Sequence, residues 1–360
     1  MNVRMAVSTL VVTAALIGSA CCVAAVADDI AETFGCESNP TGNPVGGGAG
    51  YSDILTAGDF TVRNKTELFA ALQEAGYGQV IFFPDGVEID LTGHEWVKIP
   101  AGVTLAGTRG LNGSKGARIF TTQKKVVQLN SDGHEIRLTG LRFEGPFGGK
   151  DSVTEMATFF HIKHFGVEID NCEIYNWNRE GVYGTLGASK MYVHHNHIHH
   201  CQRNGLGYGV VLYYADARII GNFFAHCRHA IAGGGDPGTA YEAAWNLFSG
   251  ETNGHTLDMH GGQDRGDDTD IAGDYVLIHH NTFTPGNYFP EIVIRGTPSQ
   301  ACEIHHNWFE REPNRAMWLF GMNSRAYKNI YERDRKTQAG TIEGPNREVR
   351  GGKVVTIETK

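Results

Sequence analysis

The stretch of the chain that is richest in groups able to do chemistry lies between Tyr241 and Gly296. Its segment HTLDMHGGQDRGDDTD places an acid and an imidazole, Asp258 and His260, two residues apart. Side chains two residues apart on a β-strand share one face, and burying both groups in an apolar interior is unfavourable, so we expect both to point outward. An imidazole beside a carboxylate suits general acid–base catalysis near neutral pH, and Arg295 in the later IVIRG could bind a negatively charged group.

Asparagines recur at nearly regular intervals through the second half of the sequence. The aligned residues are Asn171, Asn196, Asn222, Asn246, Asn281 and Asn307, with Asn329 as a last turn. Their spacings up to Asn307 are 25, 26, 24, 35 and 26 residues, and apolar residues alternate around each one. A period in the twenties with such alternation is typical of a solenoid with one coil per repeat. The pattern predicts an all-β fold in which stacked asparagines form a hydrogen-bonded ladder.

Several of these runs carry a resemblance to a known superfamily. The repeats VEIDNCEI, YVHHNHI and LIHHNTF, with the N-terminal FTVRNKTELFAALQEAG and the turn GVTLAGTRG, resemble the pectate-lyase-like proteins. The resemblance covers residues 58–335 and implies a right-handed parallel β-helix, a single-stranded solenoid with a short N-terminal capping helix. Because this fold is shared by lyases, hydrolases and binding proteins, the resemblance is specific for fold and weak for reaction. The clustered calcium aspartates of pectate lyases and the paired aspartates of polygalacturonases are not clearly present.

Composition and the N-terminus favour an exported protein. The 360 residues are 41% hydrophobic and 20% charged, and the net charge of -9 argues against nucleic acid as a partner. Arg4, the apolar run 7–17 and the run Ala25-Val26-Ala27 form a signal-peptide pattern, with a lipid anchor on Cys21 as the alternative. No later apolar run has the length of a membrane span, so we expect a secreted monomer.

These features divide the chain into four parts. They are a signal peptide (1–27), an irregular lead-in (28–57), a parallel β-helix catalytic domain (58–335) and a C-terminal extension or cap (336–360). The last part contains one strand-like run, KVVTIET, which could cover the open end of the solenoid.

A second strand ending in Gly follows each asparagine, and aligning these strands adds candidates for the site. The aligned runs are GVYG, LGYG, AIAG, LDMHG, IVIRG and WLFG. The alignment predicts that Tyr208 and His229 approach Asp258 and His260 from earlier coils. The candidate catalytic residues are His260, Asp258, Arg295, Tyr208, His229, Glu242 and His255. The candidate substrate-binding residues are Tyr183, Trp318, Phe320 and Arg228.

Two further patterns leave alternatives open. The residues Asp264, Asp267, Asp268 and Asp270 lie in an insertion and could bind Ca²⁺ through hard oxygen donors, or form a solvated loop, since their spacing is not that of an EF-hand. Cys201 and Cys227 each lie five residues after an aligned asparagine, so they should stack on adjacent coils. That spacing permits a disulfide and permits two buried thiols equally well.

Three functions fit these residues. The first is a lyase that cleaves a uronic-acid polysaccharide by β-elimination, with Arg295 or Ca²⁺ neutralising the substrate carboxylate, His260 as base, and Tyr208 or His229 as acid. The second is a glycoside hydrolase, which needs two carboxylates; Asp258 and Glu242 are the best pair, with Asp264 or Asp267 as alternatives. The third is a carbohydrate-binding solenoid without catalysis, in which the aromatic residues alone matter.

Overall fold

Short strands recur coil after coil and wind the chain into a parallel β-helix. The computed structural model describes residues 32–284, 289–311 and 315–331, and the backbone of two further strands, Arg347–Arg350 and Lys353–Thr356, which pair antiparallel. The predicted signal peptide and most of the predicted C-terminal cap lie outside the described residues. Each coil adds one strand to each of three parallel sheets, named sheets A, B and C below. The predicted all-β solenoid is therefore confirmed.

The bounds of the strands show how short each one is. Within the described residues, sheet A contains Phe60–Thr61, Val80–Phe82, Thr104–Ala106, Arg137–Thr139, Glu168–Asp170, Met191–His194, Asp216–Ile220, Ala240–Ala244, Tyr275–His279, Ala301–His305 and Ser324–Tyr327. Sheet B contains Glu88–Asp90, Arg118–Phe120, Arg142–Glu144, Glu173–Tyr175, His197–His199, Phe223–Ala225, Leu247–Ser249, Thr282–Phe283, Trp308–Phe309 and Ile330–Tyr331. Sheet C contains Val97–Pro100, Lys125–Asp132, Met156–Ile162, Glu180–Gly184, Tyr208–Leu212, His229–Gly233, Leu257–Met259, Ile292–Ile294 and Met317–Leu319.

The interior is filled by columns of like residues, one from each coil. In sheet B the rings of Phe224, Phe248, Phe283 and Phe309 stack with centroids 5.3, 4.8 and 4.6 Å apart. These separations match the spacing between neighbouring strands, so ring stacks on ring as the coils repeat. Because a single coil cannot bury its apolar face, the stacked coils share one core.

The asparagine ladder forms at the corner between sheets A and B. The side-chain oxygen of Asn222 accepts hydrogen bonds from the backbone N and the side-chain Nδ2 of Asn196, at 2.9 and 3.0 Å. The same pair of bonds recurs at each coil up to Asn329. The prediction that Asn171 belongs to the ladder was wrong. Asn171 pairs in register with His195 and has a φ of 51°, whereas Cys172 takes the ladder position and donates its backbone N–H to the side chain of Asn196.

A segment before the first coil lies across the same corner. This segment, residues 33–53, is named the strap. Its contacts run from the late coils to the early ones: Gly35 with His306, Cys36 with Thr282, Thr41 with His195, Gly46 with Gly221, Gly48 with Asn171, Tyr51 with Asp170 and Asp53 with Arg137. The strap therefore runs against the direction in which the coils are laid down. Gly47 has a φ of 66°, and a Cβ there would lie 2.2 Å from the carbonyl oxygen of His195, so no larger residue fits this close approach.

The capping helix predicted from the sequence spans Lys65–Glu74. Its N-cap residue Asn64 accepts a hydrogen bond from the backbone N of Glu67 at 3.0 Å, and the Glu67 side chain accepts one from the backbone N of Arg63 at 2.7 Å. The first bond satisfies an amide group that a helix start leaves free, and the second ties the residue before the N-cap to the first turn of the helix. The other α-helix of the described residues, Gly262–Arg265, is a single turn. Neither has the length and apolar character needed to cross a bilayer.

The cysteines of the described residues are free and buried. The thiol of Cys201 donates a hydrogen bond to the carbonyl oxygen of His199 at 3.7 Å, and that of Cys227 donates one to the carbonyl oxygen of Ile198 at 3.8 Å. Of the two arrangements that the sequence allowed, the structure has the stacked pair of thiols.

Candidate functional site

The outer face of sheet C carries two rows of side chains that define the candidate site. Strand pairing places Tyr183, Val211, Ala232, Asp258, Val293 and Trp318 side by side in the first row. Backbone hydrogen bonds extend the strand pairing by two residues and place Tyr213, Gly234, His260, Arg295 and Phe320 side by side in the second row. Asp258 and His260 therefore share the outer face, as their spacing predicted.

The register found for the earlier coils differs from the one expected from the Gly-ending runs. Ala232 pairs with Asp258 and not with His260, a slip of two residues, and Tyr208 pairs with Glu180 and His229 and not with Tyr183. The terminal glycines are not all equivalent positions, because Gly184 and Gly233 lie in one row with Leu212 and Met259, whereas Gly209 and Gly261 lie outside that row. A slip of two residues keeps each side chain on its face, which is why the outward prediction for Asp258 survived the error.

Asp258 is the centre of the polar cluster. Arg295 binds it with two parallel hydrogen bonds, Nε to Oδ1 at 2.8 Å and Nη2 to Oδ2 at 2.9 Å. The Nε2 atoms of His260 and His229 lie 3.3 and 3.6 Å from Oδ2. Although it points outward, the Asp258 side chain has 0% exposure because these partners cover it. Burial alone would raise the pKa of Asp258, but the His260 hydrogen bond and the charges of His229 and Arg295 hold it well below its ordinary value.

His260 is the part of the cluster that solvent can reach. Its side chain is 37% exposed, and its second nitrogen, Nδ1, lies 3.8 Å from Asp264 Oδ2. Asp264 also lies 3.6 Å from Nη1 of Arg295 and accepts a hydrogen bond from the backbone N of Gly261 at 3.3 Å. The imidazole thus lies between two carboxylates, and each of its nitrogens faces a carboxylate oxygen.

His229 is held neutral and in one tautomer. Its Nδ1 can only donate to the carbonyl oxygen of His255, so its Nε2 carries the lone pair. Burial lowers the pKa of His229 to about 3, an effect that outweighs the nearby Asp258. The His255 ring stacks on it with centroids 6.1 Å apart, and His255 Nδ1 in turn donates to the Pro290 carbonyl at 3.3 Å.

Arg228 and Tyr208 complete the cluster on its far side. The Arg228 guanidinium lies 5.9 Å from the centroid of the Tyr208 ring, and that ring stacks on His229 with centroids 5.5 Å apart. Burial raises the pKa of the Tyr208 hydroxyl. Among the described arginines of this face, Arg179 and Arg295 are each paired with a carboxylate, whereas Arg228 has none within 4.0 Å.

Two sets of predicted site residues are not part of this cluster. Glu242 lies on sheet A, where it accepts hydrogen bonds from Arg218 at 2.7 Å and His279 at 3.2 Å, so the structure does not bring it together with Asp258. The acidic loop does not converge on one point. Asp267 binds Arg265 at 2.8 Å and Asp270 binds Thr297 at 2.6 Å, while Asp268 is exposed. This geometry favours the solvated loop over the calcium site.

Other groups of possible metal ligands exist elsewhere in the described residues. They are Glu173–His197–His199 and Glu168–Asp170–His194, on sheets B and A, and neither includes an aspartate of the acidic loop. Both groups also contact an arginine, Arg142 or Arg137, which already neutralises a carboxylate.

The predicted aromatic residues lie on both sides of the cluster. Tyr183 is three strands before Asp258 in the first row, and Trp318 is two strands after it. Trp318 is 47% exposed with its ring 6.1 Å from that of His255, and Phe320 is 68% exposed. The sequence did not reveal that Tyr213 and His161 belong to the same face, nor that Asp264 is a partner of His260. The i, i+4 spacing of His260 and Asp264 was the only signal in the sequence that these two residues are partners.

Fold and site together define a class: a parallel β-helix protein with a carboxylate–imidazole–guanidinium cluster on the outer face of one sheet. A scan of protein-family models and a search of curated proteins gave no match to the chain.

Proposed function

We propose that the protein is a secreted polysaccharide lyase of the pectate-lyase-like type, which cleaves a uronic-acid polymer by β-elimination on the outer face of sheet C. The observation that carries the proposal is a solvent-accessible imidazole, His260, held between Asp258 and Asp264. It lies at one end of a series of contacts, and the guanidinium of Arg228, which is not paired with a carboxylate of the described residues, lies at the other end. β-Elimination needs a base at one carbon and a positive charge on the carboxylate beside it.

Arg228 is the residue best placed to neutralise the substrate carboxylate. The Nε and Nη2 atoms of Arg295 both donate hydrogen bonds to Asp258, and its remaining nitrogen, Nη1, lies 3.6 Å from Asp264. A guanidinium that is already compensated binds a further carboxylate weakly. The role first expected of Arg295 therefore passes to Arg228, and Arg295 becomes a positioning residue for Asp258.

The proton transfers can be assigned from the hydrogen bonds. His260 removes the proton from the carbon next to the carboxylate, the bond from the neighbouring carbon to the glycosidic oxygen breaks, and a carbon–carbon double bond forms. The leaving oxygen needs a proton, which the neutral hydroxyl of Tyr208 can donate. His229 cannot, since its only proton is on Nδ1 and is donated to His255.

The hydrolase is the weaker candidate on this geometry. A glycoside hydrolase needs two carboxylates that reach the substrate from opposite sides of the bond. Asp258 has 0% exposure with its oxygens occupied, and Glu242 lies on another sheet. A non-catalytic binding protein would not require an imidazole held between two carboxylates, so this feature favours an enzyme.

The test is turnover of a panel of polyuronates (polygalacturonate, alginate and glucuronate-containing glycosaminoglycans), followed by the ultraviolet absorbance of the unsaturated product. We expect new absorbance with the wild-type protein and its loss in His260→Ala and Arg228→Ala. The matched controls are His279→Ala and Arg218→Ala on sheet A, which should leave turnover intact. Reducing ends without unsaturation would overturn the lyase in favour of a hydrolase, and binding without any product would favour the non-catalytic solenoid.

A further inference from the structure

A series of rings extends from the candidate site along the outer face of sheet C toward the first coils. The Trp96 ring lies 5.7 Å from that of His161, His161 stacks on Tyr183 at 5.0 Å, and Tyr183 meets Tyr213 edge-on at 6.0 Å. These four residues, Trp96, His161, Tyr183 and Tyr213, are named the ring track. Tyr213 lies over Gly234, since a Cβ on Gly234 would come 2.4 Å from its Cδ1, and Gly234 is the neighbour of His260 in the second row. The ring track is therefore continuous with the site.

The ring track is not explained by the core. Trp96 is 48% exposed and Tyr213 39% exposed, so their rings do not serve mainly to fill the interior. Trp96 also has a φ of 54°, a left-handed conformation that is unfavourable for a large side chain. His161 is fixed in orientation by a 2.9 Å hydrogen bond between its Nε2 and Thr185 Oγ1. Exposed rings held in place at some conformational cost are typical of a binding surface.

The position of the site along the sheet sets the lengths of the two arms. Within the described part of sheet C, the site strand Leu257–Met259 is the seventh of nine. Six strands precede it, down to Val97–Pro100 beside Trp96, and two follow it, up to Met317–Leu319 with Trp318. At the usual strand spacing of about 4.8 Å, the arms measure roughly 29 and 10 Å. A bound chain can extend from the site in both directions.

From this geometry we propose that the ring track is a distal subsite for a glycan chain, whose sugar rings stack on Trp96, Tyr183 and Tyr213 by their apolar faces, and that the enzyme consequently attacks within chains and not at chain ends. The occupant is the same polysaccharide that enters the site, so this inference rests on the proposed function. Rings present a flat apolar surface at low conformational cost, and they tolerate the different substituents of successive sugars.

The first experiment compares long and short substrates. Trp96→Asn removes the ring, and asparagine tolerates the left-handed backbone better than other residues apart from glycine do. In this variant and in Tyr183→Ala we expect kcat/KM on polymer to fall about tenfold, with kcat/KM on a short oligouronate that spans only the site unchanged. Phe165→Ala is the matched control, because Phe165 is 43% exposed but stacks on His134 away from the ring track. Equal losses on long and short substrates, or no loss on polymer, would overturn the subsite.

The second experiment measures the size of the products over time. Attack within chains should lower the viscosity of the polymer before small products accumulate. Release of only the smallest products from the first minutes would overturn attack within chains, even if the lyase itself is confirmed.

A binding measurement separates failure of this inference from failure of the proposed function. If the wild-type protein turns over none of the polyuronates, its retardation in gels containing each polymer is compared with that of Trp96→Asn and His260→Ala. Weaker retardation of Trp96→Asn but not of His260→Ala would support the subsite without the lyase. Retardation equal in all three proteins, or absent from all three, would overturn the subsite.

Discussion

The same residue types occur in two regions of the solenoid with different consequences. On sheets A and B, an arginine, a glutamate and a histidine form repeated triplets, which we name the scaffold triplets: Arg137–Glu168–His194, Arg142–Glu173–His199 and Arg218–Glu242–His279. On sheet C, Arg295, Asp258 and His260 form one cluster of similar composition. Composition alone does not distinguish the two.

What distinguishes them is how the imidazole nitrogens are used. In each scaffold triplet, histidine Nε2 contacts the glutamate and Nδ1 contacts a following histidine with positive φ, as at His279 and His280, where the two Nδ1 atoms are 2.9 Å apart. Both nitrogens are therefore occupied. His260 contacts Asp258 through one nitrogen, and its other nitrogen has only a 3.8 Å contact and access to solvent. The comparison teaches that a solvent-accessible imidazole nitrogen, and not a cluster of charged residues, separates the proposed site from the scaffold triplets.

The largest effect should come from acid, through the histidines of the scaffold. Burial lowers the pKa of His195, His200 and His305 to about 4 and that of His197 to about 3. A lowered histidine pKa gives stability that is complete above the ordinary value of 6.5 and is lost as the pH falls toward 4. Each group contributes up to about 1.4 kcal/mol per pH unit, so the sum is on the order of several kcal/mol.

Glu291 acts with the opposite sign. Burial raises its pKa to about 7, so its stabilising contribution is present at low pH and is lost as the pH rises from about 4.5 to 7. Four scaffold histidines should outweigh it. Urea unfolding at a series of pH values between 7.5 and 4 measures the balance, and a free energy of unfolding that stays constant over this range would contradict the neutral histidine scaffold.

The next largest effect should be on turnover, which we expect to depend on the cluster on sheet C and not on the scaffold triplets. His260→Ala is expected to lower turnover of polyuronate about a thousandfold, which corresponds to about 4 kcal/mol, with little change in stability because the side chain is partly exposed. His279→Ala should do the reverse and lower the free energy of unfolding by about 1–2 kcal/mol with turnover retained. Steady-state kinetics and thermal unfolding of both variants check this contrast. Similar losses of turnover in the two variants would contradict it.

Asp258→Asn should follow in size. The variant keeps the shape but removes the charge that Arg295 binds with two hydrogen bonds, and breaking a buried ion pair typically costs about 3 kcal/mol. Chemical denaturation measures this loss. A variant as stable as the wild type would show that Asp258 is not the organising residue of the cluster. Turnover should fall as well, since His260 loses the carboxylate that orients it.

The smallest effect should be that of Glu242→Gln, the corresponding change in a scaffold triplet. Arg218 is 58% exposed, and ion pairs of this kind contribute about 1 kcal/mol at most. The hydrogen bond from His279 and the charge of Arg218 lower the pKa of Glu242 to about 2, so its contribution is lost only as the pH falls below about 4.5. Chemical denaturation at neutral pH should show a smaller loss of stability for Glu242→Gln than for Asp258→Asn. Equal losses would contradict the distinction between the scaffold triplets and the cluster on sheet C.

The fold was largely predictable because the solenoid repeats itself in the sequence. The period between Asn196 and Asn307 reports the coil directly, and each repeat carries its own alternation of apolar residues. Errors arose where the repeat is imperfect: at Asn171, one residue before the ladder position, and at Tyr208, which begins its strand, whereas the Gly-ending run placed it near the end.

The site was predictable only in part. The two-residue spacing of Asp258 and His260 is local information, and it placed both correctly. Whether a charged residue is free or already paired depends on contacts between distant residues. Arg295 and Asp258 are 37 positions apart, as are Glu242 and His279. Nothing local in the sequence shows that Arg295 is occupied and Arg228 is not.

The strap gives the solenoid a property that repeat proteins generally lack. In a stack of coils, each coil contacts only its neighbours, so the ends can open independently. Here the Gly35 amide bonds to His306 in a late coil, while Asp53 holds Arg137 in an early one. The residues synthesised first cannot dock until the coil at His306 exists, so the strap should be among the last parts to fold. Once docked, its high contact order links the two ends, and we expect the coils to unfold as a single cooperative unit.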